Sequence, residues 1–125
     1  MDLEAGLTGK AECEVTEADT AIALRSGSVP VLGTPRVIAL CEEATVAAVA
    51  GLLEPGQTTV GMKVQIDHLK PSPIGAHVTA EAWLEKNGGR RLTFTVKAHD
   101  DRDLIAVGRI TRAIVDTKRF LDSVS

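Results

Sequence analysis

A hydroxyl, a carboxylate and an imidazole stand at spacings that can serve one site: Thr34 at the head of an apolar helix, Glu42 and Glu43 within it, and His68 closing an alternating strand. An imidazole on a core-facing position is a candidate general base, general acid or substrate orienter. An ionised helix carboxylate in apolar surroundings is costly unless a cleft, a partner group or a subunit boundary receives it. Adjacent helix residues point about 100° apart, so at most one of Glu42 and Glu43 need face the core. Thr34 has an alternative use, capping a free backbone amide ahead of Pro35. The plain alternatives for the other two are a hydrogen-bonded histidine at a strand end and a solvated glutamate at a helix edge.

A helix and a strand must position these groups. From Pro35 to Leu53 the chain has few polar residues until Glu54-Pro55-Gly56 stops the run, which predicts one helix surrounded on most sides. From Thr58 to about Leu69 the alternation predicts a strand with Val60, Met62, Val64, Ile66 and His68 on the core face. Ahead of the helix, Lys10 to Thr16 reads as a strand and Thr16-Glu17-Ala18-Asp19 as a helical turn. The irregular stretch through Ser26 to Pro30 is long enough to be a functional lid. Beyond His68, Pro71-Ser72-Pro73 forbids ladder pairing. Ala76 to Lys86 and Arg90 to Asp100 then form a hairpin about Asn87-Gly88-Gly89, with Val78, Ala80, Ala82, Leu84, Leu92, Phe94, Val96 and Ala98 inward. Leu104 to Val115 reads as a central strand and Lys118 to Val124 as a short terminal turn. One buried helix with long antiparallel strands is an α+β domain whose sheet wraps around one long central helix. Trp83, on the outward face, suggests a contact on the other side or edge of the sheet, with a second subunit as the candidate.

The 125 residues make one domain, 1–125, with 44% hydrophobic and 25% charged residues. A net charge of −3 and 2% aromatic residues argue against nucleic acid, which asks for a basic footprint and stacking rings. No apolar run is long enough to span a bilayer, and Asp2 and Glu4 do not suit a signal peptide, so a cytoplasmic protein is expected. Cys13 and Cys41 read as small core residues. His77 and His99 read as surface residues without metal-binding neighbours.

The order Gly33-Thr34, apolar helix with Glu42, Leu53-Glu54-Pro55-Gly56, Gly61-led strand ending in His68, proline-rich turn, Gly89-Arg90-Arg91-Leu92 and Arg112-Ala113-Ile114-Val115 resembles the hotdog-fold thioesterases. Within them it is similar to the fluoroacetyl-CoA thioesterase-like family, from about Lys10 to Phe120. The resemblance implies a homodimer that hydrolyses a short acyl-CoA thioester in clefts at the subunit boundary. It also implies Thr34, Glu42 and His68 as catalytic residues, and Gly61 as the glycine seven residues before the histidine. Glu42 is expected to act as general base toward water or to attack the carbonyl directly. His68 is expected to orient or protonate, and Thr34 to position water or the acyl carbonyl, while amides near Gly61 or the helix start hold the oxyanion. Thr34 and Glu42 lie about 12 Å apart along a helix, so either the chain enters the helix late and bends back, or substrate lies between them, or a dimer joins groups from two chains. Lys70, Arg90 and Arg91 are candidates for the CoA phosphates. A thiolate leaves readily, so no metal or cofactor is expected. The stretch Ser28 to Leu32 lacks the lid aromatics of the fluoroacetate-specific member, so a preference for a fluorinated acyl group is not expected. The alternative is a non-catalytic module that binds acyl-CoA or a small apolar ligand. A hydratase ranks lower, since no His occurs between Thr34 and Leu53.

Overall fold

The computed structural model describes residues 3–125. Asp2, read above with Glu4, lies outside the described residues. In chain order the elements are β1 (Thr8–Glu14), a 3-10 turn (Glu17–Asp19), α1 (Thr34–Ala48), β2 (Gln57–His68), β3 (His77–Asn87), β4 (Arg91–His99), β5 (Leu104–Asp116) and α2 (Thr117–Asp122). The strands form one antiparallel sheet in the order β1-β3-β4-β5-β2, so β1 and β2 are its edges.

The alternation of the hairpin sets the core. Val78, Ala80, Ala82, Leu84, Leu92, Phe94, Val96 and Ala98 are all buried and meet Val37, Leu40, Cys41, Ala44 and Ala48 of α1. Gly9 explains how closely the helix lies on β1: a Cβ there would run into the backbone of Ala44, Ala47 and Ala48. At the hairpin, Gly89 has φ +90° and donates its N–H to the Asn87 side chain, as the sequence there requires.

Three expectations need correction. The helix stops at Ala48 rather than Leu53, because the chain turns through Ala50 and Gly51, whose φ of +77° ends helical geometry. Nor is α1 surrounded on most sides: Ala39, Glu43, Val46 and Ala47 form an exposed strip opposite its buried face. Finally, β2 does not keep one face from Val60 to His68. A bulge at Met62 shifts the register between Gly61 and Lys63, so Thr59 and Gly61 lie opposite the inward Ile114 and Arg112, while Val60 lies opposite Ala113. Beyond the bulge, Val64, Ile66 and His68 hold the inward face, opposite Ile110, Gly108 and Ala106.

Candidate active site

Gly33, not Thr34, is the N-cap of α1, and its lack of a side chain leaves Thr34 as the first helical residue with a hydroxyl free for other use. That hydroxyl lies 2.7 Å from His68 Nδ1, so the head of α1 and the end of β2 bring the two together. Burial pushes the His68 imidazole below its ordinary value of 6.5, a shift partly offset by the Lys70 backbone, and so favours the neutral ring. His68 Nε2 is buried with no partner in hydrogen-bonding geometry. The pair opens into a cavity of about 300 Å³ whose other walls include Ala21, Val29, Leu32 and Leu69. Val29 comes from the stretch expected to be a lid, whose flanks are tied down by bridges from Thr20 to Leu32 and from Val31 to Pro73.

Glu42 belongs to a second cluster. Its Oε2 accepts a hydrogen bond of 3.0 Å from Arg112 Nη1, whose Nε and Nη2 donate to the Thr59 hydroxyl and carbonyl. Arg112 is only 7% exposed, and the partners of Nε, Nη1 and Nη2 offset the cost of burying its charge. Burial lowers its pKa and the Glu42 carboxylate opposes that shift. Gly61 faces the same carboxylate, since a Cβ at this position would lie 2.6 Å from Glu42 Oε2. The adjacent Glu43 points elsewhere and pairs with Arg36, which also holds Asp19.

Thr34 and His68 therefore meet within one chain, whereas Glu42 meets Gly61 and Arg112. The two clusters stand seven residues apart along β2, roughly 20 Å of extended strand. Of the three cations expected near the CoA phosphates, Lys70 borders the His68 cavity but pairs with Asp103 at 3.1 Å. Arg90 and Arg91 diverge, Arg90 toward Gln57 and Asp116 and Arg91 toward Lys63 and Lys86. Arg112 had no role in the sequence reading. Its signal was a charge on the inward alternation of Ile110, Arg112 and Ile114. Burial pushes the Cys41 thiol up to about 12, which makes it an inert core residue. Cys13 is half-buried rather than a full core member. His77 and His99 sit near Glu12 and Glu81 on the sheet surface. No helix among the described residues is long and apolar enough to cross a membrane.

Residues 15–118 match the family model described as fluoroacetyl-CoA-specific thioesterase. The fluoroacetyl-CoA thioesterase of Streptantibioticus cattleyicolor is 38% identical over 90 residues, which cover 72% of this chain and 65% of that relative's length. Among solved structures, the fold is similar to that of the fluoroacetyl-CoA thioesterase FlK, with a TM-score of 0.94, 30% identity and coverage of 99% of this chain and 96% of that one. It is also similar to a thioesterase superfamily member from Thermus thermophilus, with a TM-score of 0.91, 26% identity and coverage of 98% and 91%.

Proposed function

The chain belongs to the fluoroacetyl-CoA-specific thioesterase family and has the hotdog fold, and on that premise we propose that it hydrolyses an acyl-CoA thioester to the free acid and CoA. The observation that carries the reading is the 2.7 Å contact between Thr34 Oγ1 and His68 Nδ1 at the mouth of an apolar-walled cavity. A hydroxyl within hydrogen-bond reach of a neutral imidazole is the arrangement of a nucleophile and its base. Thr34 Oγ1 attacks the thioester carbonyl as its proton passes to His68. The C–S bond then breaks, and the same proton leaves on the CoA thiolate. Water attacks the acyl-Thr34 ester, giving its proton to a base as the acid is released and the hydroxyl restored. Thr34 is thus given more than the positioning role expected from sequence.

Glu42 enters through a dimer. β2 is an edge strand of 12 residues, and 49% of Met62 and 38% of Val64 are exposed along it; β1, the other edge, is shorter and carries Lys10, Glu12 and Glu14. A long, partly apolar edge calls for a partner strand. A two-fold axis pairs β2 with itself antiparallel, so the Gly61 end of one strand approaches the His68 end of the other. Each composite site then holds Thr34 and His68 from one protomer and Glu42 of the partner subunit. That carboxylate, aimed by arginine, is placed to take the proton of the deacylating water. The cytoplasm is the compartment that fits this substrate and two free cysteines.

The test is thiol release from a panel of acetyl-, propionyl-, butyryl-, longer-chain and aromatic acyl-CoA esters. The reading expects turnover of at least one ester. CoA binding with no release from any of them would identify the chain as a binding module. The pH profile follows from His68. Protonation removes the base, and its folded pKa lies below 6.5, so the acid limb of kcat/KM should fall below pH 6.5. A limb at or above that value would contradict a buried, neutral His68.

A further inference from the structure

Beside Thr34 and His68, the cavity of about 300 Å³ is walled by Leu69, Lys70 and Pro71, the residues that follow His68. The residues after these tie the end of β2 to the head of α1. Leu32 donates its N–H to the Ser72 carbonyl at 2.9 Å, and Val31 bridges to Pro73, so the chain just past His68 holds the chain just ahead of Thr34. The other side of the helix head is held through Gly33, whose N–H donates to the Asp19 carbonyl. On the His68 side, Ser72 is the link.

Pro71 and Pro73 have no N–H to donate, so this stretch depends on carbonyls and side chains for its anchorage. Ser72 supplies the side chain. It is 0% exposed, and its hydroxyl donates to Asp100 Oδ2 at 2.8 Å. Asp100 is itself fixed, because its Oδ1 accepts the N–H groups of Arg102 at 2.9 Å and Asp103 at 2.8 Å. The turn between β4 and β5 thus wraps around one carboxylate oxygen and presents the other to Ser72. A hydroxyl bonded to an ionised carboxylate is held more strongly than one bonded to a neutral acceptor. The Lys70–Asp103 pair joins the same two segments but is solvated on both sides, and such a pair adds little.

Resting on the thioesterase reading, we propose that Ser72 and Asp100 are positioning residues for the Thr34–His68 pair. The carboxylate fixes the serine, the serine carbonyl fixes Leu32, and Leu32 sets the start of α1 against the end of β2. Neither Ser72 nor Asp100 lines the cavity, so both act through geometry. The 2.7 Å contact between Thr34 Oγ1 and His68 Nδ1 joins two separate elements, and a relative shift of about 1 Å takes it beyond hydrogen-bond length. A misplacement of that size costs up to about a hundredfold in rate.

The experiment compares the parent with Ser72→Ala, Ser72→Thr, Asp100→Ala and the double variant Ser72→Ala/Asp100→Ala, by thiol release from the acyl-CoA ester that the parent hydrolyses fastest. In Ser72→Ala and Asp100→Ala, kcat should fall about tenfold or more with KM within about twofold, and the double variant should fall no further than Asp100→Ala, since both residues act through one bond. Ser72→Thr keeps the hydroxyl and should recover most of kcat. Leu84→Ala, a core truncation toward the hairpin end of β3, should lower thermal stability at least as much and leave kcat near that of the parent, which separates positioning from general loosening. The ¹⁵N resonances of the His68 ring, assigned by their loss in His68→Ala, read the contact with Thr34 without turnover: Nδ1 should move in Ser72→Ala and stay in Leu84→Ala. A parent that hydrolyses no ester would defeat the thioesterase reading and leave this resonance to test the geometry alone. An unmoved Nδ1 resonance in Ser72→Ala would overturn the proposal. So would a kcat for Ser72→Ala within about twofold of the parent, or an equal loss of kcat in Leu84→Ala.

Discussion

His68→Ala and Thr34→Ala should each lower kcat for acyl-CoA hydrolysis by about a thousandfold while the protein stays folded. Thr34 is exposed at the helix start and does not cap it, so its hydroxyl has little structural work to lose. His68 is half-buried at a strand end, and Ala there removes an unpartnered nitrogen from the interior as well as a base. Groups that act as a unit are not additive, so the double variant should fall no further than either single one. The measurement is steady-state thiol release alongside circular dichroism. A Thr34→Ala enzyme within tenfold of the parent would remove the hydroxyl from the nucleophile's role and leave it as a positioning group. An acyl-enzyme burst in the parent, absent from Thr34→Ala, would identify the attacking atom.

Val64→Asp should have a comparable effect without touching either cluster. Val64 faces inward beyond the bulge yet remains 38% exposed on the edge strand. In the monomer a carboxylate there stays hydrated and costs little. In a dimer built on β2 it enters a closed apolar seam, opposed near the axis by its own symmetry copy. The variant should sediment as a folded monomer and lose at least about a hundredfold in kcat/KM, because each site is then without its second half. A monomeric Val64→Asp protein with parental activity would show that one chain suffices. A fully active dimer would place the interface elsewhere.

The sheet was legible from residue types because alternation in β3 and β4 is nearly perfect: one face is Val, Ala, Leu and Phe, and the other is polar or charged apart from Trp83. In β2 the same rule failed at one residue. Met62 continues the apolar alternation by type, so nothing local announces the bulge, which is set by pairing with β5 across the sheet. The helix was overextended because Leu52 and Leu53 extend the apolar run past Gly51, whose positive φ is a property of the folded turn. Thr34 and His68 could be paired by family resemblance, and their contact required only that the head of α1 and the end of β2 meet. The division between His68 and Glu42 was not readable, since it depends on Arg112, 70 residues from Glu42 in sequence. An inward arginine on an apolar strand is a buried charge in search of a partner, and that signal was present.

Mixed dimers test the composite site most directly. His68→Ala and Glu42→Ala homodimers are each expected to be inactive, for want of the imidazole in one and the carboxylate in the other. Combined in one dimer, they leave both defects in one site and restore the other, where the Glu42→Ala chain supplies Thr34 and His68 and the His68→Ala chain supplies Glu42. Subunit exchange of equal amounts should therefore recover about one quarter of the parent rate, from half the dimers with one live site each. Sites formed within single chains would recover nothing, and an exchanged mixture as inactive as its components would contradict a shared active site.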